Sequence, residues 1–139
     1  MKAVDVLLLD DEPIVGQRLK SGLVKMGCAV ETFENPLEAM ARIAQKKFDI
    51  VITDVMMAEA SGIQVLEAAK KLNPAVKVII ITGYATAELA REAMEKGAYD
   101  MIAKPFKPAD LRALVVRAMQ ELGVQVAMPT EESAFPPAR

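Results

Sequence analysis

Histidine is absent from all 139 residues. Its absence excludes a Ser-His-Asp triad, a His-ligated zinc and a phosphohistidine on this chain. Cysteine occurs once, at Cys28, so no internal disulfide can form. A single thiol fits a reducing compartment, and a cytoplasmic protein is expected. Lysine and arginine form no run, and the net charge is −2, so direct nucleic-acid binding is not expected. No apolar stretch reaches the roughly 20 residues that span a bilayer, and the chain opens directly on a strand-like run without a signal-peptide layout. No membrane association is expected. What is present is a 53% apolar, 26% charged chain, long enough for one domain with a real core.

Five apolar runs alternate with five helical patterns. Val4 to Leu9 is the first run and leads into Asp10-Asp11-Glu12. Pro13 then opens a helix in which Val15, Leu19, Leu23 and Met26 recur at helical spacing, and Gly27 stops it. Cys28 to Phe33 is the second strand, and Asn35-Pro36 starts a helix buried through Ala39, Met40, Ile43 and Ala44. Phe48 to Thr53 is the third strand, with Asp54 at its exit. A helix from about Gly62 to Leu72 buries Val65, Leu66, Ala69 and Leu72. Val76 to Ile81 and Tyr99 to Ala103 are the last two strands. Ala87, Ala90, Ala93 and Met94 mark the helix between them, and Gly97 ends it. The final helix, from near Pro108 to Leu122, carries the stripe Leu111, Leu114, Val115, Ala118, Met119 and Leu122; Val116 falls outside it as a candidate exposed contact.

Strand–helix alternation with short links predicts right-handed crossovers and a doubly wound α/β fold, a parallel five-stranded sheet with helices on both faces. The domain is expected over 1–123, and 124–139, with Pro129, Pro136 and Pro137, reads as a flexible tail or linker stump.

In such sheets ligands gather at the carboxyl ends of the strands. That edge collects Asp10 and Asp11 from the first strand, Asp54 from the third, Thr82 from the fourth and Lys104 from the fifth. An ionised carboxylate is costly to bury, so Asp54 is expected half in water. Three carboxylates at one edge repel each other unless a cation joins them, and oxygen donors without His or Cys suit Mg²⁺. A carboxylate can accept a phosphoryl group, and that transfer needs little beyond positioning and charge neutralisation. Acceptor, metal ligands, counter-cation and hydroxyl are all in the set.

The residues Leu7-Leu8-Leu9-Asp10-Asp11-Glu12, Asp54 with Met56-Met57 and Gly62, Ile81-Thr82-Gly83 and Lys104-Pro105-Phe106 resemble, in order and spacing, the receiver domain of bacterial two-component response regulators. The match covers roughly Lys2 to Gly123. The resemblance implies a flavodoxin-like strand order 2-1-3-4-5. It implies Asp54 as phosphoacceptor, and a metal site of Asp10, Asp11, Asp54 and the Met56 carbonyl holding Mg²⁺. Thr82 would close on the phosphoryl group, and Lys104 would pair with acceptor and phosphate, followed by a usually cis bond to Pro105. A sensor histidine kinase or histidine phosphotransfer protein would be the donor. The face from about Tyr84 to Leu122, made by the fourth helix, fifth strand and fifth helix, would bind a partner or a second copy. Catalysis would be limited to self-phosphorylation and autodephosphorylation.

Two positions depart from the pattern. Ala58 stands where a proline is common, and Met101 where a switch aromatic is usual; Tyr99 would share Met101's face by strand alternation. Each motif alone has a plain structural reading, acidic residues at a helix start among them; their joint occurrence favours the site. Cys28 reads as a small buried hydrophobe, and Phe106 as either core or partner surface. Tyr84 reads equally as a lifetime control or a plain surface aromatic; with Met56 it would flank the path of attacking water, neither is a good base, and slow phosphoryl loss is expected. An aspartyl-nucleophile hydrolase is disfavoured because no second acid follows Asp54 and no cap segment exists. A phosphorylation-independent interaction module with the same fold is the alternative.

Overall fold

The computed structural model describes residues 3–55 and 61–123; Met56, Met57, Ala58 and the 124–139 segment lie outside them. The elements run β1 (Val4–Leu9), α1 (Pro13–Lys25), β2 (Cys28–Phe33), α2 (Pro36–Gln45), β3 (Ile50–Asp54), α3 (Gly62–Leu72), β4 (Lys77–Thr82), α4 (Ala87–Glu95), β5 (Asp100–Ala103) and α5 (Pro108–Glu121). The strands form one sheet in the order β2-β1-β3-β4-β5, every pairing parallel. This is the doubly wound order expected above, with its reversal between β1 and β3.

Why these runs become central strands follows from their side chains. Leu7, Leu9, Val51, Val78 and Ile80 pack with Ala39, Ile43, Val65, Leu66, Ala69 and Ala93 of α2, α3 and α4. Val6, Leu8, Ile50, Ile52, Ile79 and Ile81 pack with Leu19, Leu23, Leu111 and Val115 of α1 and α5. Alternate residues therefore enter opposite cores, and a strand apolar at every position satisfies both. The start of α2 is capped as the sequence predicts, and α3 has a cap that the sequence reading did not single out. Asn35 Oδ1 accepts the N–H groups of Leu37 at 2.7 Å and Glu38 at 3.2 Å. Ser61 and Gln64 form a capping box at α3.

Several expectations are corrected. β3, β4 and β5 begin at Ile50, Lys77 and Asp100, later than Phe48, Val76 and Tyr99. Phe48 and Val76 are buried all the same, because they enter the core ahead of the ladder. Ala44, Leu72 and Met94 are exposed rather than core-facing. All three lie in the last turn of a helix, where the periodic pattern persists but the chain is leaving the sheet. Ala87 opens α4 and is exposed too; that helix packs through Leu89 and Ala93 instead. Val116 is half-buried against the α1–α5 core rather than an exposed contact, and Phe106 packs there as well. Tyr99 packs on that same core while Met101 packs on the opposite one. Tyr99 precedes the ladder, so strand alternation does not carry its side chain to the side Met101 takes.

Candidate functional site

The parallel register brings the ends of β1, β3, β4 and β5 to one edge: Leu9 pairs with Thr53, Asp54 with Ile81, and Thr82 with Ala103. Each strand then releases one polar residue where its hydrogen-bond ladder ends. Asp10 follows β1, Asp54 ends β3, Thr82 ends β4 and Lys104 follows β5.

Lys104 is the centre of this group. Its Nζ donates to Asp54 Oδ2 at 2.8 Å and to Asp10 Oδ2 at 2.9 Å, and lies 3.5 Å from Glu12 Oε1. Asp10, fully enclosed at its side chain, also accepts the Glu12 N–H at Oδ1, 2.8 Å away. Asp54 Oδ1 accepts the Val55 N–H at 2.7 Å. The Asp54 side chain is only 9% exposed, so the half-wet carboxylate expected from sequence is corrected. The cost of enclosing it is offset by the ammonium and the backbone donor. Breaking such a buried pair typically costs about 3–5 kcal/mol, whereas an apolar substitute for both partners is often neutral. Stability alone therefore gives no reason for this arrangement.

Burial pushes the Asp10 carboxyl above its ordinary value, against the pull of the Glu12 N–H and Lys104. Burial would lower Lys104, but its hydrogen bonds to Asp54 and Asp10 and their charges outweigh it and hold the lysine above its usual range. Its ammonium is thus a fixed positive charge at the edge. Thr82 is fully buried, and its Oγ1 accepts the Tyr84 N–H at 2.9 Å, which fixes the loop after β4. The Lys104 N–H donates to the Thr82 carbonyl at 2.8 Å, and the Lys104–Pro105 bond is cis.

Oxygen atoms of Asp10, Asp11 and Glu12 all lie within 4.8 Å of one another. Within that cluster Asp10 and Asp11 are hard carboxylate donors of the kind that suits Mg²⁺. Glu12 is the residue that sequence reasoning missed. It was legible only as part of the acidic run, and its reach to Lys104 depends on where β5 falls. Met56 lies outside the described residues. Gly62, carried in the sequence motif without a stated reason, has one here. A Cβ on it would collide with the Asp54 carbonyl oxygen and sit 2.8 Å from Val55 Cα.

Comparison with known proteins gives this edge a context. The family model described as "Response regulator receiver domain" matches residues 6–116. Transcriptional regulatory protein ZraR of Klebsiella oxytoca is 33% identical over 131 residues, covering 94% of this chain and 30% of ZraR. The chain thus spans under a third of that relative's length. A CheY-like receiver domain protein from Methanospirillum hungatei superposes with a TM-score of 0.83 at 30% identity, over 88% of this chain and 98% of that one. The beryllofluoride-activated NtrC4 receiver domain, solved as a dimer, superposes with a TM-score of 0.78 at 30% identity, over 84% of this chain and 97% of that one. With the sheet order, the acidic edge and the matched span in agreement, the chain belongs to the response regulator receiver domain family.

Proposed function

We propose that Asp54 is the phosphoacceptor of this receiver domain, and that its donor is a histidine of a sensor kinase or phosphotransfer protein. The observation that carries the reading is the Lys104 ammonium shared between Asp54 Oδ2 and Asp10 Oδ2. It ties the acceptor to the acidic pair and places a permanent cation where phosphoryl charge would collect. An Asp54 carboxylate oxygen attacks phosphorus, the phosphorus–nitrogen bond of the phosphohistidine breaks, and the imidazole leaves with the electron pair. Asp10 and Asp11, with Asp54 and the Met56 carbonyl, would hold Mg²⁺. Bound there, the ion would neutralise phosphoryl oxygens. Lys104 stays paired to the acceptor and then to the phosphate. The Thr82 hydroxyl turns from its Tyr84 N–H contact to a phosphoryl oxygen.

The group adds negative charge beside Thr82 and Lys104, both joined directly to the chain entering α4 and α5. Movement of α4 and β5 would remodel the α4–β5–α5 face for a partner or a second copy. Met101 and Leu89 each pack against the core on the α4 side of the sheet, so this readout runs through aliphatic packing rather than an aromatic switch.

The test is intact-mass spectrometry after incubation with acetyl phosphate and Mg²⁺. One phosphoryl adduct is expected on wild type and none on Asp54→Ala. No adduct on wild type, or an equal one on the variant, overturns the reading. Slow loss of the adduct is expected in turn, because Tyr84 stands beside Thr82 and offers no base. A half-life of seconds overturns that expectation.

A further inference from the structure

We propose that Glu12 is a positioning residue that takes over the Lys104 ammonium when a divalent cation engages Asp10. The inference rests on the reading of this edge as a Mg²⁺-dependent phosphoacceptor site. Asp10 is committed twice before any ion arrives, Oδ1 to the Glu12 N–H and Oδ2 to Lys104. A cation on the Asp10–Asp11 pair needs Asp10 oxygen, and it repels a neighbouring ammonium. In this account the ion displaces Lys104 from Asp10 Oδ2. Its side chain is 21% exposed, and an ammonium has three donors to satisfy. Asp54 Oδ2 holds one. Glu12 Oε1, 3.5 Å away, needs to close by about half an ångström to make an ordinary hydrogen bond.

Glu12 is built to make that move. It occupies the N-cap position of α1, yet its side chain makes no capping hydrogen bond. Its backbone is pinned to Asp10 while its carboxylate, 65% exposed, already lies within ion-pair range of Lys104. Glu12 thus offers Lys104 a second anchor as the first is withdrawn, and keeps the ammonium over Asp54 for the incoming phosphoryl group. In this account Glu12 acts on cation binding through Lys104, not by ligating the ion.

A double-mutant cycle separates these routes. Mg²⁺ affinity is measured by titration calorimetry on wild type, Glu12→Gln, Lys104→Met and the double variant. Glu12→Gln is expected to weaken Mg²⁺ roughly two- to fivefold with Lys104 present, the scale of one partly exposed ion pair. It should change nothing when Lys104 is methionine. Equal weakening in both backgrounds makes Glu12 a ligand or a plain field effect and overturns the proposal, as does no weakening in either. Should Lys104→Met fail to fold, the ¹⁵N signal of the Lys104 ammonium decides. It should persist on Mg²⁺ addition in wild type and vanish into solvent exchange in Glu12→Gln; identical behaviour in the two overturns the proposal. A wild type that binds no Mg²⁺ overturns both this inference and the reading beneath it, whereas a null confined to the variant overturns this inference alone.

Discussion

At Gly62 the first turn of α3 passes directly against the backbone that carries Asp54, the proposed acceptor. The Gly62 N–H donates to the Val55 carbonyl at 3.0 Å, and the space where a Cβ would stand is filled by the Asp54 carbonyl and Val55 Cα. Backbone atoms cannot change rotamer to make room, so even one methyl group must move a strand end or a helix. Overpacking of this kind costs about 1–3 kcal/mol. Gly62→Ala is expected to lower stability by about that amount in urea unfolding, and to slow adduct formation because Asp54 shifts with its carbonyl. Gly83 is the matching control, since a Cβ there meets nothing within 4 Å. Gly83→Ala should stay within about 0.5 kcal/mol of wild type. Equal stability of Gly62→Ala and wild type would show that the contact relaxes freely.

Among elements, what the sequence made legible was the alternation and what it hid was the angular setting. The run Ile50 to Thr53 could be read as a two-sided strand because no other element suits four apolar or β-branched residues in a row. The site was legible for the same reason, since Asp10, Asp54, Thr82 and Lys104 are simply the residues that end such runs. Helix faces were less legible at their ends. Leu72 and Met94 fit the helical period, and only the placement of the sheet shows that it stops short of them. Nor could local pattern find the network that fastens α2 to the β2 edge. Arg42 Nε and Nη2 donate to the two Glu31 carboxylate oxygens at 2.7 and 3.0 Å, and Lys46 bridges Glu31 and Asp5. The hydrogen bonds from Arg42, with its charge and that of Lys46, hold the Glu31 carboxyl below its ordinary 4.5 despite partial burial. A lowered carboxylate contributes stability in full above that ordinary value and loses it as pH falls through the lowered one. Wild type should therefore exceed Glu31→Gln in urea midpoint at pH 7, with the gap shrinking steadily below pH 4.5. A gap independent of pH would assign the difference to packing instead.

For the whole molecule the proposed α4–β5–α5 face can be tested first against a second copy of the chain. The chain is close to neutral, at net charge −2, and phosphorylation adds further negative charge, so long-range electrostatics oppose self-association. A dimer must then come from local contact, and α4 offers it. Met94 is 50% exposed on that helix and Tyr84 is 66% exposed just ahead of it, while Leu89 and Ala93 hold the other side to the sheet. The NtrC4 receiver, alike in fold and in 30% of its sequence, was solved as a dimer in its beryllofluoride-activated form. If this chain shares that behaviour, beryllofluoride with Mg²⁺ should carry its light-scattering mass from 15.1 kDa towards twice that value. Met94→Glu should return the activated protein to the monomer mass, because a carboxylate at a two-fold contact faces its own copy, while still taking up one phosphoryl group from acetyl phosphate. A mass unmoved by activation would assign the face to a different protein. Dimerisation that survives Met94→Glu would move the contact away from α4.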